Sequence, residues 1–150
     1  MSFLLKHFLY IFLLFNLCSI VRANTPPSSK QLETYRVTIT NRDVPNVVVG
    51  CDDLGGQVLK PGDLFSWKFR MNIYGTNQYN CRFYWFEDGN IRKFSEFPLF
   101  DEIISHRCGI WLFIRNRCYW SVAQDGFYYS DKNASFPGSD WSKKNDWNDI

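Results

Sequence analysis

The sequence is poor in the residues that carry acid–base and metal chemistry. It has 2 histidines, His7 and His106, and its 5 cysteines include no closely spaced CxxC pair. Catalysis by two histidines, of the ribonuclease kind, is excluded beyond position 23 because only His106 remains there. A thiolate zinc site favours short-spaced cysteine pairs and is disfavoured for the same reason. We therefore predict no cofactor, no metal and no enzymatic activity, with His106 exposed or in a structural hydrogen bond.

Neighbouring carboxylates occur, but their spacing suits neither calcium nor sugar hydrolysis. After Asp52–Asp53, the alternate positions of a calcium loop hold Leu54 and Gly56, which have no side-chain oxygen. Glu87–Asp88 and Asp101–Glu102 are sequence neighbours, whereas a glycosidase needs two carboxyl groups that face each other across a cleft. We interpret these pairs as solvated turns.

Long apolar runs are confined to the beginning of the chain. A basic residue precedes the apolar run Phe8–Phe15, and the small residue Ala23 follows at the distance typical of a signal-peptidase site. The alternative, a membrane anchor, needs about 20 apolar residues, and Asn16 and Ser19 interrupt the run before that length. We predict a signal peptide over residues 1–23 and a secreted, extracellular product without membrane insertion in its mature form.

Neither sign of charge is in excess once this segment is removed. Cleavage takes Lys6 and Arg22 from 17 basic residues and leaves 15 against 15 acidic ones. A charge-balanced chain lacks the basic bias of proteins that bind nucleic acid or anionic lipid. We expect neither partner.

Four cysteines remain after position 23: Cys51, Cys81, Cys108 and Cys118. An even number in an oxidising compartment predicts two disulfides, and four cysteines allow three pairings between which the sequence does not choose. Our working prediction is the nested arrangement, Cys51 with Cys118 and Cys81 with Cys108, which would tie a central hairpin to an early strand.

The central hairpin is predicted at residues 118–129. Trp120 and Val122 alternate with polar or smaller residues, Asp125–Gly126 supplies a tight turn, and Phe127–Tyr129 returns as a second strand. We assign Trp120, Asp125 and Gly126 structural roles, with Trp120 buried beside a cysteine.

Alternating or short apolar patterns predict the remaining strands. These strands lie at residues 35–40, 47–49, 64–71, 79–85, 91–97 and 111–114. The matched aromatic faces of residues 64–71 and 79–85 predict two adjacent antiparallel strands. Residues 99–106 are predicted as a short helix or an irregular crossing. The fold class is all-β: a small antiparallel β-sandwich of about eight strands stapled by two disulfides.

The two ends of the mature chain are polar. Residues 24–34 are predicted as a flexible leader, residues 35–130 as the domain, and residues 131–150 as a polar, disordered tail. Trp141 and Trp147 in the tail have no strand pattern around them, and they form an exposed recognition patch in the alternative interpretation. Asn133 begins an N-glycosylation sequon.

Several motifs, taken together and in this order, resemble the plant self-incompatibility protein family, also called S-protein homologues. They are Val37–Asn41, Cys51 with Asp53–Gly55, Pro61–Gly62, Phe65–Phe69, Asn72 and Gly75, Cys81–Trp85, Cys108, Cys118–Trp120 and Asp125–Gly126. The resemblance implies a small secreted plant protein with a disulfide-stapled β-sandwich. It also implies an extracellular ligand of a cell-surface receptor, with rejection of self pollen as the role of the founding members. Gly50 departs from the family pattern, which often has a histidine before the first cysteine.

A rigid sandwich can present its loops to a partner. We therefore predict that the protein is a non-enzymatic ligand in cell–cell recognition or signalling. The loops expected to recognise the receptor are Asn41–Asn46, Glu87–Asn90 and Arg115–Arg117. The alternative is a secreted module that binds glycan or cell wall by stacking exposed tyrosine and tryptophan faces on sugar rings.

The processing of the chain gives the first testable prediction. We expect secreted material to begin at Asn24, to carry a glycan at Asn133 and to contain no thiol that reacts with an alkylating agent after denaturation. Amino-terminal sequencing, glycosidase treatment and non-reducing mass spectrometry measure the three properties. A secreted chain that still begins at Met1, or one whose mobility glycosidase leaves unchanged, contradicts the corresponding part.

Overall fold

The computed structural model describes residues 34–109 and 116–150 and arranges them as two five-stranded sheets packed face to face. The strands are β1 Thr34–Asn41, β2 Val47–Cys51, β3 Gly55–Leu59, β4 Leu64–Arg70, β5 Tyr79–Glu87, β6 Asn90–Phe100, β7 Asn116–Ala123, β8 Gly126–Ser130, β9 Ser142–Asn145 and β10 Asn148–Asp149. A short helix, α1 Glu102–Cys108, lies between β6 and β7. Sheet 1 has the order β4-β1-β7-β8-β9 and sheet 2 the order β10-β6-β5-β2-β3. The predicted all-β sandwich class is confirmed.

The core forms where the inner faces of the two sheets meet. Strand β1 shows the predicted alternation, with Tyr35, Val37 and Ile39 almost fully buried. Aromatic rings from opposite sheets fill the space between them: the ring of Phe83 lies 4.8 Å from that of Phe127. Apolar burial of this kind is the main favourable term in the stability of a small sandwich.

One strand pair is parallel, which the sequence pattern did not indicate. In sheet 1, β1 pairs antiparallel with β4 but parallel with β7, in a register that aligns Tyr35 with Asn116 and Asn41 with Val122. A parallel pair needs a long crossover connection. Here the crossover contains strands β2, β3, β5 and β6 of sheet 2, so the two sheets are parts of one folding unit.

Strands β4 and β5 are not neighbours, and the prediction that they pair is wrong. Strand β4 is hydrogen-bonded to β1 in sheet 1, whereas β5 lies between β6 and β2 in sheet 2. Their aromatic faces meet across the core instead, with the rings of Phe69 and Tyr79 4.7 Å apart. The alternation correctly indicated which face is buried, but it carries no information about which strand lies alongside.

The nested disulfide pairing is also wrong. The structure joins Cys51 to Cys81, with Cα atoms 4.0 Å apart, and Cys108 to Cys118, with Cα atoms 5.2 Å apart. Cys51 and Cys81 stand directly opposite each other on the neighbouring strands β2 and β5, while Cys118 belongs to the other sheet. The second bond fixes the end of α1 to β7. Each disulfide therefore joins two elements that lie side by side, and neither ties the central hairpin to β2.

Two segments differ in type or position from the sequence patterns. Strand β3 has the sequence Gly-Gly-Gln-Val-Leu, which shows no alternation, and it was not predicted. The short helix expected within residues 99–106 is α1, whose first turn is capped by Asp101: its side chain accepts a hydrogen bond from the backbone N–H of Ile104. The predicted signal peptide, the leader up to residue 33 and the predicted strand at residues 111–114 lie outside the described residues.

The polar tail is ordered, contrary to prediction. Strand β9 pairs with β8, and β10 pairs with β6, so this segment completes one edge of each sheet. Between them, the ring of Trp147 packs 4.5 Å from Phe127, and its indole N–H donates to the backbone oxygen of Ala123 at 2.8 Å. The polar sequence of β9, Ser-Lys-Lys-Asn, concealed a strand because three of its four residues are exposed.

The tail tryptophans provide a paired stability test. Replacing Trp147 with Ala should lower the free energy of unfolding by about 3 kcal/mol, because it empties a site between the two sheets. Replacing Trp141 with Ala should cost less than about 1 kcal/mol, because its ring packs outside the core, against Phe136 and the guanidinium of Arg42. Urea denaturation of both variants measures the difference, and equal effects would contradict the docking of the tail through Trp147.

Candidate functional site

The β7–β8 hairpin holds the residues that were assigned structural roles. Trp120 is 2% exposed, and its indole N–H donates to the backbone oxygen of Leu99 at 3.0 Å. Gly126 has φ +140°, and a Cβ added there would lie 2.6 Å from the backbone oxygen of Asn145. The turn therefore requires glycine for its backbone angle and for the close approach of β9. Asp125 accepts a hydrogen bond from the Tyr128 hydroxyl at 2.5 Å, and this bond raises the pKa of Tyr128.

One end of the sandwich, here called the Asn41 end, is tied together by hydrogen bonds. Asn41 is fully buried, and its side-chain amide donates to the backbone oxygens of Val44 and Leu59, both at 2.8 Å. The carboxylate of Asp43 accepts from the backbone N–H of Gln124 at 2.9 Å, which joins the β1–β2 loop to the β7–β8 turn. The loops at this end are consequently fixed relative to one another.

The three predicted recognition loops do not form one surface. Residues 41–46 and 87–90 both lie at the Asn41 end, where the backbone N–H of Phe86 donates to the oxygen of Asn46. Asn116 and Arg117 are instead the first residues of β7, level with the start of β1. Six residues of strand separate the two positions, a distance of about 20 Å. Arg115 lies outside the described residues.

The opposite end carries a loop that was not among the three predicted recognition loops. This segment, residues 72–77, connects β4 to β5 and is here called the Asn72 loop. The side-chain oxygen of Asn72 accepts from the backbone N–H groups of Tyr74 and Thr76, at 3.1 and 3.0 Å. The backbone N–H of Asn72 donates to the Asn77 side chain at 2.6 Å. Asparagine suits this role because its short side chain bonds to the backbone a few residues ahead.

The Asn72 loop presents two apolar side chains to solvent. Tyr74 is 80% exposed and Ile73 is 59% exposed, and no other large apolar side chain in the described chain is as exposed as Tyr74. A tyrosine offers a large contact area and a hydrogen-bonding hydroxyl at low entropic cost, and tyrosines are enriched among residues that dominate protein interfaces. The signal in the sequence was an apolar pair between Asn72 and Gly75, inside a turn, where no strand would bury it.

The titratable candidates lie apart from one another. His106 is exposed on α1, with its Nε2 3.9 Å from a carboxylate oxygen of Glu102. Asp52 and Asp53 occupy the β2–β3 turn, where Asp52 accepts from the backbone N–H of Asn80 and Asp53 has φ +56°. Within residues 34–109 and 116–150, no three His, Cys, Asp or Glu residues are grouped so that they could hold a metal ion.

The tail residues with assigned roles are all described. Asn133 is exposed in the irregular segment between β8 and β9, where a sequon is accessible to modification. Trp141 packs edge-on against Phe136, with the guanidinium of Arg42 5.6 Å from its ring centre. Trp147 is in the core contacts described above. The two tryptophans thus do not form one exposed patch.

These features place the chain in a known family. Residues 36–147 match the family model described as "Plant self-incompatibility protein S1". The match covers most of the chain, including the tail strand β9, and the chain belongs to this family. The resemblance stated from its motifs is confirmed.

Two relatives from Arabidopsis thaliana align over shorter stretches. S-protein homolog 24 is 32% identical over 102 residues, which cover 64% of this chain and 61% of the relative. S-protein homolog 29 is 34% identical over 67 residues, which cover 41% of this chain and 48% of the relative. The alignments therefore span about half to three-fifths of the length of these relatives.

A solved structure shares the fold. It is a structure of SPH (self-incompatibility protein homologue) proteins, described as a widespread family of small, highly stable, secreted proteins from plants. It superposes with a TM-score of 0.53 at 18% sequence identity and covers 77% of this chain and 96% of its own. Identity at this level supports the architecture alone.

The hydrogen bonds of the Asn72 loop predict a local effect. Replacing Asn72 with Ala should speed amide exchange at Tyr74 and Thr76, because both N–H groups lose their acceptor, while global stability falls by only about 1 kcal/mol. Hydrogen exchange followed by NMR measures this. The matched control is Asn90→Ala, which removes one exposed side-chain bond to Asp88. Unchanged exchange at Tyr74 and Thr76 would show that the loop is held in another way.

Proposed function

We propose that this protein is a secreted, non-enzymatic plant ligand that acts in recognition between cells, and that a cell-surface receptor protein binds its Asn72 loop. The observation that carries the proposal is the exposure of Tyr74, at 80%, on a loop whose backbone is bonded to its own asparagine. An exposed aromatic side chain on a fixed loop is the kind of anchor that fills a pocket on a partner protein.

The pre-formed loop favours affinity. Binding costs free energy when loops and side chains become ordered, and a loop that is already ordered avoids much of that cost. In the Asn72 loop, five hydrogen bonds involve Asn72. Its side chain accepts from the backbone N–H groups of Tyr74 and Thr76 and donates to the Thr76 hydroxyl. Its backbone N–H donates to the Asn77 side chain, and its backbone oxygen accepts from the N–H of Gly75. Ile73 adds apolar area beside Tyr74.

Secretion is supported by several observations. The first 23 residues have the pattern of a signal peptide. Two disulfides are typical of extracellular proteins. The proteins of the solved relative are described as secreted. Among the described residues, no helix has the length and apolar character needed to cross a bilayer.

The alternative function, glycan binding through Trp141 and Trp147, loses the surface on which it was based. The ring of Trp147 contacts Phe127 and Trp85. Trp141 is held between Phe136 and Arg42. The two half-buried rings thus have separate neighbours and do not form the shared exposed surface that this alternative requires.

Binding to intact cells tests the proposed function. Labelled protein should bind saturably to plant protoplasts, and Tyr74→Ser should weaken binding about tenfold or more, because truncation of a central aromatic anchor costs about 2 kcal/mol. The matched control is Leu64→Ser, since Leu64 is 64% exposed but lies at the Asn41 end. Both variants should keep the melting temperature of the parent.

Two outcomes would contradict the proposal. Equal binding by the parent and Tyr74→Ser would exclude the Asn72 loop as the contact. Binding that survives protease treatment of the protoplasts would exclude a protein receptor.

A further inference from the structure

Three cations stand side by side on the outer face of sheet 1. Arg36 of β1 is aligned with Lys68 on β4 and with Arg117 on β7, so the three residues, here called the basic row, cross three hydrogen-bonded strands. Neighbouring strands are about 4.8 Å apart. Like charges directly opposite each other on adjacent strands destabilise a sheet. The basic row therefore works against folding unless an anion neutralises it.

The described chain does not supply that anion. Within residues 34–109 and 116–150, carboxylates form ion pairs with Arg82, Arg92, Lys93, His106, Lys132 and Lys143, but with no member of the basic row. The chain beyond position 23 has equal numbers of acidic and basic residues. The row is thus a local concentration of positive charge in a balanced protein, and not a consequence of general basicity.

The basic row borders a concavity of a size that suits a ligand group. A cavity of about 320 Å³ is lined by all three cations together with Thr34, Tyr35 and Asn116. Lys68 is exposed, and Arg36 and Arg117 are half-buried. A carboxylate placed there is within reach of two guanidinium groups, each of which can donate two parallel hydrogen bonds to it.

The neighbouring row of side chains is rich in hydroxyl groups. Two residues further along the same strands, Thr38 is aligned with Ser66 on β4 and with Tyr119 on β7. The Thr38 and Ser66 hydroxyls are 3.0 Å apart and hydrogen-bonded. Protein partners are usually anchored by apolar or aromatic side chains buried in pockets. This surface offers cations, hydroxyls and the half-buried ring of Tyr119, which are suited to an acidic sugar.

We infer that the basic row and the hydroxyl row beside it form a binding site for a carboxylate-bearing polysaccharide, a polyuronate. The carboxylates pair with Arg36, Arg117 and Lys68, the sugar hydroxyls bond to Thr38 and Ser66, and a ring face lies against Tyr119. This site uses none of the residues of the Asn72 loop. It adds contact with an anionic extracellular matrix to the proposed recognition of a receptor, and neither depends on the other.

Calorimetric titration of the full secreted protein with oligogalacturonate tests the site. The parent should bind at low salt, and its affinity should fall as salt rises from about 50 to about 200 mM, because the contacts are charge pairs near the surface. The double variant Arg36→Gln/Arg117→Gln should bind about tenfold more weakly or worse, since it loses charge-assisted hydrogen bonds. Its melting temperature should equal or exceed that of the parent, because a repulsion is removed.

The matched control is Arg82→Gln. Arg82 is an exposed cation on the outer face of sheet 2 that pairs with Glu96 at 3.2 Å. Its loss lowers the net charge by one, the same step as Lys68→Gln and half that of the double variant, without touching the basic row. Its affinity should stay within about twofold of the parent. Should the double variant fold poorly by circular dichroism, the single change Lys68→Gln at an exposed position gives the same test.

Three results would overturn the inference. The first is absence of binding by the parent at low salt. The second is an equal loss of affinity in Arg82→Gln, which would indicate a diffuse charge effect. The third is binding of poly-glutamate of matched length as tight as that of oligogalacturonate, which would show that the row recognises acidic peptides or charge alone and not a sugar acid.

Discussion

The parallel pairing of β1 with β7 is the contact on which the rest of the structure depends. It joins the first described strand to the hairpin that contains Trp120, and every strand of sheet 2 except β10 lies between them along the chain. Because the crossover must return to the same sheet, sheet 2 is carried over the inner face of sheet 1, where the aromatic core forms. The same pairing aligns Arg36 with Arg117, so the basic row also exists only when this contact is made.

The sequence predicted which residues are buried more accurately than which residues are neighbours. Alternation marked Val37, Ile39, Trp67 and Phe83 as core positions, and all four are buried. The alternation did not show that β4 and β5 belong to different sheets, because the pattern of a strand is the same whichever strand lies beside it. The disulfides were mispaired for the same reason: Cys51 and Cys81 are partners through register, a property of the folded sheet. Strands β3 and β9 were missed because most of their residues are exposed, so their sequences lack the alternation of apolar and polar residues that marks a strand with one buried face.

The candidate binding surfaces were harder to predict from the sequence than the core. Tyr74 lies in a turn, and its significance depends on an exposure and a hydrogen-bonded loop that only the folded chain shows. Arg36, Lys68 and Arg117 are far apart in the sequence, and a chain with balanced charge gives no reason to group them. Their alignment follows from two strand registers. Surfaces built across several strands are in general visible only once the topology is known, whereas a core face is visible within a single strand.

The position of Trp147 in the chain has a consequence for how the protein is made. Its ring lies against Phe127 and Trp85, one from each sheet, yet it follows all of the strands except β10. During vectorial synthesis, both sheets therefore emerge before the side chain that fills the gap between them. Until then, Phe127 and Trp85 lack this ring as a neighbour, so the contact that Trp147 makes with both sheets forms only after the strands that carry those two rings.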